Sequence, residues 1–308
     1  MKKIASIDIG SNTVRLLILE SGPGGDFRIA DSERVITRLG EGIDAGKGLQ
    51  EKRMDETLAA LCRFREKCRD HGDIAIHAVA TSAVREAPNR DEFLKRAKEA
   101  AGIHIEVIPW EEEARLTLQG VFWKIPHGGR KILTFDIGGG STEFILSNGD
   151  QVAESVGTPL GTVRLTEKFI TRHPVDETEY RNLENHLRGE MVSIKDRLSE
   201  FAPETLIGTA GTVTTLAALD KNIFPYDPEK VHGAVIPINR VQSILEDLKS
   251  KSIKERLLMK PLEQGREDLI IAGGAIVLET MRAFSCNDLT VCEHGLREGI
   301  ILKALPRS

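Results

Sequence analysis

The chain has 308 residues, of which 40% are hydrophobic and 29% are charged, and its formal net charge is −5. This composition is typical of a globular protein with room for about two domains, and the negative balance argues against non-specific binding to nucleic acid. Aromatic residues make up 5%, which disfavours binding of single-stranded nucleic acid by base stacking. The longest apolar stretch, residues 269–278, is too short for a bilayer, which needs about 20 residues. We therefore expect a cytoplasmic protein without a membrane span or secretory signal.

A repeated pattern organises the chain. Residues 4–20, "IASIDIGSNTVRLLILE", and residues 132–147, "ILTFDIGGGSTEFILS", both read as a strand, an Asp-Ile-Gly turn with small polar residues, and a second strand. The two copies lie one domain length apart, which predicts two similar halves. The other predicted elements are, in chain order, a strand at 27–37, a helix at 50–71, a strand at 74–80, a helix after 89, a strand at 103–109, a helix that includes 111–113, a strand at 151–160, helices from 163 and over 177–201, and a strand at 204–210.

Each half is thus predicted to be a β-meander followed by alternating helices and strands, which implies a mixed sheet flanked by helices. The helix at 177–201 has Asp176 as its predicted N-cap, and Glu179 completes a capping-box pattern. Pro126 and a glycine pair mark residues 124–131 as the domain junction. The predicted domains are therefore residues 1–125 and 126–294. The tail, 295–308, is predicted to be a closing helix, and whether it joins the first domain is left open.

Each Asp-Ile-Gly turn is a candidate phosphate-binding loop. Glycine lets backbone N–H groups converge on an anion, because no Cβ blocks the approach, and serine and threonine hydroxyls add donors. An aspartate at the strand end repels an anion unless a cation lies between them, and Asp with phosphate oxygens is the usual environment of Mg²⁺. A single such turn is also compatible with an ordinary hairpin, but the duplication favours phosphate. The candidate residues are Asp8, Gly10, Ser11, Asn12 and Thr13 in the first turn, and Asp136, Gly138, Gly139, Gly140, Ser141 and Thr142 in the second.

A third turn, "IGTAGTVTTLAAL" at 207–219, follows a predicted strand and opens a helix. Free amides at a helix N-terminus form an anion site. Such turns are common, so this turn alone is weak evidence for phosphate binding. The two Asp-Ile-Gly turns elsewhere in the chain favour the same function here. Its candidate residues are Gly208, Thr209, Ala210, Gly211 and Thr212.

Acids and arginines supply the remaining candidates. Glu111, Glu112 and Glu113 fall in the first turn of a predicted helix, where the helix dipole favours acids. The helix dipole alone explains the three glutamates. Alternatively, one of them could be the general base for a water that attacks a phosphoryl group. Helical periodicity does not indicate which of the three it would be. Arg85 is a candidate for bidentate phosphate binding, with a surface ion pair as the alternative. Further arginines at predicted helix starts are Arg115, Arg164 and Arg297.

Several familiar active-site patterns are absent from the sequence. It contains no GxxxxGK[ST], no GxGxxG, no HExxH and no GxSxG. The four cysteines form no CxxC pair, so we expect reduced thiols rather than a zinc site. Any phosphate chemistry must therefore depend on a metal ion and carboxylates.

Seven stretches together resemble the exopolyphosphatase/guanosine pentaphosphate phosphohydrolase (Ppx/GppA) family of the actin-like ATPase superfamily. They run in order over about residues 4–303, and the EEEAR, SAVREAPN and LREG segments are the most specific. The stretches are "IDIGSNTVRLLI", "ATSAVREAPN", "EEEARLTLQGV", "FDIGGGSTEF", "PLGTVRLTEKF", "GTAGTVTTLAAL" and "HGLREGIIL". By its length the chain resembles the short two-domain form, and we expect it to be without the additional C-terminal helical domains of longer members.

The resemblance implies an α/β fold of two actin-like (ribonuclease H-like) domains, each a mixed β-sheet flanked by helices, with the active site in the cleft between them. It implies Mg²⁺- or Mn²⁺-dependent hydrolysis of the terminal phosphoanhydride of inorganic polyphosphate, which releases orthophosphate. The alternative substrate is pppGpp, which would give ppGpp. By the same resemblance, Glu113 is the base that activates water, Arg85 faces the phosphates, and Asp136, Glu143 and Asp8 serve the metal ion, with Asp136 and Glu143 also placing the water.

Two other functions are compatible with this fold. One is an ATP-dependent small-molecule kinase with an adenosine pocket near residues 208–219, and the other is a polyphosphate or alarmone sensor without catalysis. The family also contains dimers, so a homodimer is left open.

Overall fold

The computed structural model describes residues 3–22, 27–43, 46, 48–72, 74–198 and 202–305. The chain forms two compact units. The first runs to Gly120 and resumes at Leu296, and the second is Val121–Gly295. The division between Gly120 and Val121 lies inside a helix, whereas the sequence places the boundary at residues 125 and 126.

The first unit contains a five-stranded sheet in the order β3-β2-β1-β4-β5. Strands β1, β2 and β3 pair antiparallel, and β1, β4 and β5 pair in parallel. Its elements are β1 (Lys3–Ile9), β2 (Thr13–Ser21), β3 (Phe27–Ile36), α1 (Glu51–Asp70), β4 (Ala75–Ala80), α2 (Ser82–Glu86), α3 (Arg90–Ala101), β5 (Ile105–Val107), α4 (Trp110–Phe122) and α12 (Leu296–Ala304).

Hydrophobic periodicity explains how the helices of the first unit pack. In α1 the buried residues Leu58, Leu61 and Phe64 recur at three-residue spacing on one face. Helix α3 ends at Ala101 and is capped by Gly102, whose φ of +65° is the left-handed conformation that glycine adopts at helix C-termini. The terminal helix α12 belongs to this unit, since Ile300 packs into a buried apolar cluster with Val79, Ile108, Leu116 and Leu296.

The second unit contains a six-stranded sheet in the order β10-β11-β9-β6-β7-β8. Its elements are β6 (Lys131–Ile137), β7 (Thr142–Asn148), β8 (Gln151–Thr158), α5 (Thr162–Phe169), α6 (Glu177–Arg197), β9 (Thr205–Thr209), α7 (Ala210–Lys221), α8 (Pro228–Val231), β10 (Val235–Pro237), α9 (Ile238–Lys249), α10 (Ile253–Leu257), α11 (Ile270–Ala283) and β11 (Asp288–Val291). The elements from α8 to β11 were not predicted individually.

The two sheets repeat one topology. Strands β6, β7 and β8 form an antiparallel meander like β1, β2 and β3, and β6 pairs in parallel with β9 as β1 does with β4. The predicted mixed sheet in each half is therefore confirmed. In each unit the Asp-Ile-Gly turn joins the first two strands of the meander, so equivalent positions carry the candidate loops.

The helix capping in the second unit differs in one respect from the prediction. Asp176 caps α6 as expected, because its carboxylate accepts hydrogen bonds from the amides of Thr178 and Glu179. Glu179 does not complete a capping box, since its carboxylate instead accepts hydrogen bonds from the amides of Thr171 and Arg172. The preceding loop competes successfully for this side chain. Helix α6 ends at Arg197, and the rest of its predicted span to residue 201 includes positions outside the described residues.

The apolar stretch at 269–278 forms most of helix α11 and is buried in the core of the second unit. Within the described residues, no helix is both long enough and apolar enough to span a membrane.

Candidate functional site

The first candidate loop lies between β1 and β2. The Gly10 amide donates a hydrogen bond to the Thr13 carbonyl at 3.1 Å, which closes the turn. The hydroxyl of Ser11 and the Oδ1 of Asn12 are buried, yet neither forms a hydrogen bond with any residue that the structure describes. A buried polar atom without a partner costs about 1–3 kcal/mol. These two atoms are therefore the polar groups that this loop can offer to a ligand.

The segment after β3 supports the first loop from behind. The amides of Thr37 and Arg38 donate to the Asn12 carbonyl, and the Gly40 amide donates to the Ser11 carbonyl at 2.7 Å. These bonds occupy the loop's carbonyl groups, which would otherwise repel an anion. The Ser11 hydroxyl takes no part in these bonds, and binding of phosphate by this loop stays a prediction.

Asp8 precedes this loop and lies opposite Arg15 in the neighbouring strand. Burial raises the pKa of the Asp8 carboxyl, while Arg15 and Arg297 lower it in part. The positive charges of Arg15 and Arg297 already stabilise the Asp8 carboxylate. Its surroundings are therefore less suited to a metal ion than those of Asp136 and Glu143 in the second unit.

The second candidate loop repeats the geometry of the first. The Gly138 amide donates to the Ser141 carbonyl at 2.9 Å, the same three-residue closure. In both loops a Cβ on the first glycine would lie 3.2 Å from that carbonyl oxygen. The hydroxyl of Thr142 donates to the Leu160 carbonyl, so this threonine anchors the loop instead of pointing outward.

The start of α5 packs directly against the backbone of the second loop. The amides of Thr162 and Val163 donate to the carbonyls of Gly138 and Gly139, at 3.0 and 2.8 Å. At Gly161 a Cβ would overlap the backbone of Gly139 and its neighbour in the loop. Glycine is required at position 161 because the two backbone segments are in direct contact. The sequence did not reveal this structural role of Gly161.

Asp136 and Glu143 face each other across β6 and β7. Glu143 is 2% exposed and Asp136 is half-buried. Carboxylates directly opposite each other in a sheet repel, and a divalent cation removes this repulsion. The equivalent pair in the first unit is Asp8 and Arg15, where the opposite residue is a cation. Of the two units, the second therefore has the donor set for a metal ion.

The third candidate loop leads from β9 into α7. Thr209 donates its hydroxyl to the His294 carbonyl, and Ala210 has a φ of +69°. A left-handed alanine costs about 1 kcal/mol or more, so the surrounding structure imposes this turn. Gly208 lies inside β9, where a Cβ would clash with Phe135 and Val213. Core packing therefore requires glycine at position 208.

A cation that the sequence reasoning missed lies at the third loop. The Arg266 guanidinium occupies the position that a Cβ on Gly211 would take. It also pairs with Glu263 and is buried. No local pattern marks this arginine, because it is far from Gly211 along the chain. Thr212, the last residue of the predicted loop, is buried inside α7, where its hydroxyl faces the backbone of Gly273.

The structure separates the three neighbouring glutamates of α4. Glu111 is exposed, whereas Glu112 binds Arg115 at 2.7 Å and Lys303 at 2.6 Å. The hydrogen bond from Arg115 is the main cause that lowers the pKa of Glu112 to about 2. Glu113 is 6% exposed and accepts a hydrogen bond from Arg85. Of the three, Glu113 is the buried acid next to the predicted phosphate-binding arginine.

The other two arginine candidates also have local roles. The backbone amide of Arg164 donates to the Gly139 carbonyl at 3.4 Å, so this residue is part of the contact between α5 and the second loop. Arg297 lies 3.5 Å from Glu298 and contributes to the field at Asp8.

The acids of the second unit fit a divalent ion that is shared with a substrate. Within the described ranges, no group of three or more His, Cys, Asp or Glu side chains is arranged to hold a metal ion. Mg²⁺ does not need such a group, because it usually binds one or two carboxylates together with substrate phosphates and water. Asp136 and Glu143 are a pair of carboxylates of this kind.

The repeated meander, with an acid-led glycine loop in each unit, defines a protein of the actin-like class. The sequence pattern described as the Ppx/GppA phosphatase family matches residues 17–308, so the chain belongs to that family. Membership implies dependence on a divalent metal ion.

Similar proteins agree with this membership. The chain is 32% identical over 315 residues to "Exopolyphosphatase 2" of Mycobacterium tuberculosis, with 98% of each chain covered. It is 36% identical to the PPX-GPPA enzyme of Aquifex aeolicus, with a TM-score of 0.82 over 98% of this chain and 99% of that one. An exopolyphosphatase from Cytophaga hutchinsonii is 27% identical, with a TM-score of 0.92 over 98% of this chain and 97% of that one.

Proposed function

We propose that this protein is an exopolyphosphatase that hydrolyses the terminal phosphoanhydride of inorganic polyphosphate and releases orthophosphate. The observation that carries the proposal is the buried pair of Glu113 and Arg85, which joins an acid suited to general-base catalysis with a cation suited to phosphate. The relatives of similar length that are named exopolyphosphatases support the choice of substrate.

The reaction proposed is an in-line attack of water on the terminal phosphoryl group. Glu113 accepts the proton of the attacking water, and Arg85 binds the non-bridging phosphoryl oxygens. Phosphoryl transfer has a loose transition state, so positioning and neutralisation of charge account for most of the rate enhancement. The Ser11 hydroxyl of the first loop adds a neutral donor to the bound chain.

The proposed metal ion is Mg²⁺ or Mn²⁺, held by Asp136 and Glu143. When bound, it neutralises charge on the phosphate oxygens. These two carboxylates hold their places across β6 and β7 through the strand register. Asp8 is a weaker candidate, because Arg15 and Arg297 already act on its charge.

One assay tests the proposal. Release of phosphate is measured from polyphosphates of defined length, from pppGpp and from ATP in parallel, with and without a divalent ion. Release that is fastest from polyphosphate and requires the ion supports the proposal. Preference for pppGpp would change the substrate and leave the reaction intact. Transfer of phosphate from ATP to an acceptor, or binding of polyphosphate with no release, would overturn it.

A further inference from the structure

We propose that Trp110 is a positioning residue, which holds the Arg85 guanidinium so that one edge of it is ready for a phosphoryl group. This inference rests on the proposed function, because it gives Arg85 contact with phosphate. Trp110 lies at the start of α4, beside the three glutamates, and its indole contacts the Arg85 side chain.

The indole of Trp110 stacks on the Arg85 side chain. The Cζ atom of Arg85 lies 4.0 Å from the centroid of the Trp110 ring. A guanidinium within about 6 Å of an indole face is attracted by the ring, and more strongly where both groups are shielded from water. The Arg85 side chain is 13% exposed, so this contact is largely shielded.

Two hydrogen bonds fix one end of the same guanidinium. The Nη1 atom of Arg85 donates to the Ile108 carbonyl and to Glu113 Oε2, both at 2.8 Å. Bonds from a single nitrogen fix the position of that atom but still allow the planar group to turn about it. The stacked indole of Trp110 removes this freedom, because it sets the plane of the guanidinium.

The opposite edge of Arg85 is left for a ligand. Its Nε and Nη2 atoms are buried and form no hydrogen bond with any residue in the described part of the chain. Together these atoms form the edge with which arginine binds carboxylate or phosphate through two parallel bonds. Buried donors without acceptors destabilise the fold, and the stacking on Trp110 offsets part of this destabilisation. The arginine is therefore held ready before the substrate arrives.

The first test compares two substitutions of the indole. Trp110→Leu keeps an apolar side chain but removes the aromatic face, whereas Trp110→Phe keeps a smaller face. We expect Trp110→Leu to lower kcat/KM for polyphosphate about tenfold, since about 1.4 kcal/mol corresponds to a factor of ten. Trp110→Phe should stay within about threefold of wild type, because a phenyl ring still attracts the cation. Equal values for Trp110→Leu and wild type would overturn the inference.

A matched control is available in the second unit. Phe224 also lies under a cation, with Lys260 Nζ at 5.7 Å from its ring, and it is exposed. Phe224→Leu should leave both kcat/KM and Tm unchanged. Its comparison with Trp110→Leu separates loss of this particular stack from loss of any aromatic ring.

A double-mutant cycle separates positioning from folding. The affinity for tripolyphosphate is measured by calorimetry without a divalent ion, for Trp110→Leu in the wild-type and Arg85→Met/Glu113→Gln backgrounds, since the added Glu113→Gln avoids a buried carboxylate without its cation. If Trp110 acts through Arg85, its substitution weakens binding about tenfold in the first background and has no effect in the second. An equal loss in both backgrounds would assign Trp110 a general structural role and overturn the inference.

The cycle also distinguishes this inference from the proposed function. Wild-type protein that binds tripolyphosphate but releases no phosphate would overturn the proposed function. The coupling between Trp110 and Arg85 could still be measured from the binding affinities. Wild-type protein that binds tripolyphosphate neither without nor with a divalent ion would overturn both.

Discussion

The guanidinium of Arg85 donates a hydrogen bond to the carboxylate of Glu113 across 2.8 Å, although 28 positions separate the two residues. Both groups are largely buried, with side-chain exposures of 13% and 8%. Removal of one member of a buried ion pair leaves an uncompensated charge, which costs about 3–5 kcal/mol. The two residues therefore depend on each other for stability, and substitutions that test catalysis must preserve the hydrogen bond.

Glu113→Gln is the substitution that meets this requirement. Its amide oxygen can still accept the hydrogen bond from Arg85, but a glutamine cannot take a proton from water. We expect kcat to fall by about 10² to 10⁴, with the affinity for tripolyphosphate within about threefold of wild type. Glu111→Gln, which changes an exposed acid of the same helix turn, is the control. If Glu113→Gln releases phosphate at nearly the wild-type rate, another group is the base.

Glu143→Gln should expose the role of the acidic pair in binding the ion. With one charge of the pair removed, the half-saturating concentration of divalent ion should rise at least about tenfold. The substitution also removes the repulsion between the carboxylates of Glu143 and Asp136. Without the ion, the variant should therefore unfold at the same temperature as wild type or at a higher one. Thermal unfolding with and without Mg²⁺ measures both effects. An unchanged metal requirement would place the ion elsewhere.

Gly161→Ala should disrupt the second loop. The added Cβ meets backbone atoms, which cannot move aside as a flexible side chain could, so we expect a loss of about 3 kcal/mol in the free energy of unfolding. Gly189→Ala is the matched control, because space around that position in α6 is open, and alanine should stabilise the helix by about 1 kcal/mol. Denaturant unfolding should show opposite signs for the two variants. A Gly161→Ala protein as stable as wild type would contradict the close contact.

Glu112→Gln should lower stability in a pH-dependent way. The pKa of Glu112 is lowered from its ordinary 4.5 to about 2, first by the hydrogen bond from Arg115 and then by Lys303. A lowered pKa stabilises the fold above the unfolded value, and this stabilisation is lost as the pH falls from about 4.5 towards 2.

The difference in free energy of unfolding between wild type and Glu112→Gln should therefore be largest above pH 5, at about 1 kcal/mol or less because Arg115 and Lys303 are partly exposed. Below about pH 3 the difference should shrink. A difference that does not vary with pH would show that the ion pairs with Arg115 and Lys303 contribute nothing to stability.

The sequence alone determined the repeated architecture and the places of the first two loops. Strand periodicity, an acid at the end of the first strand of each meander, and the small residues of each turn are local features, because they act between neighbours in the chain. For this reason Asp8, Gly10, Asp136 and Gly138 could be assigned to equivalent positions from the sequence, and the sheet topology agrees. The prediction that the two loops share one cleft stays a prediction.

The surroundings of the individual residues in each pattern were decided only by the tertiary structure. Helical periodicity treats Glu111, Glu112 and Glu113 alike, and their separation comes from Arg85 and Lys303, which lie elsewhere in the chain. Likewise, the contact of Gly161 with the second loop and of Arg266 with Gly211 joins distant segments. Burial and charge at a site depend on what the fold brings alongside it, and no property of the local sequence specifies that partner.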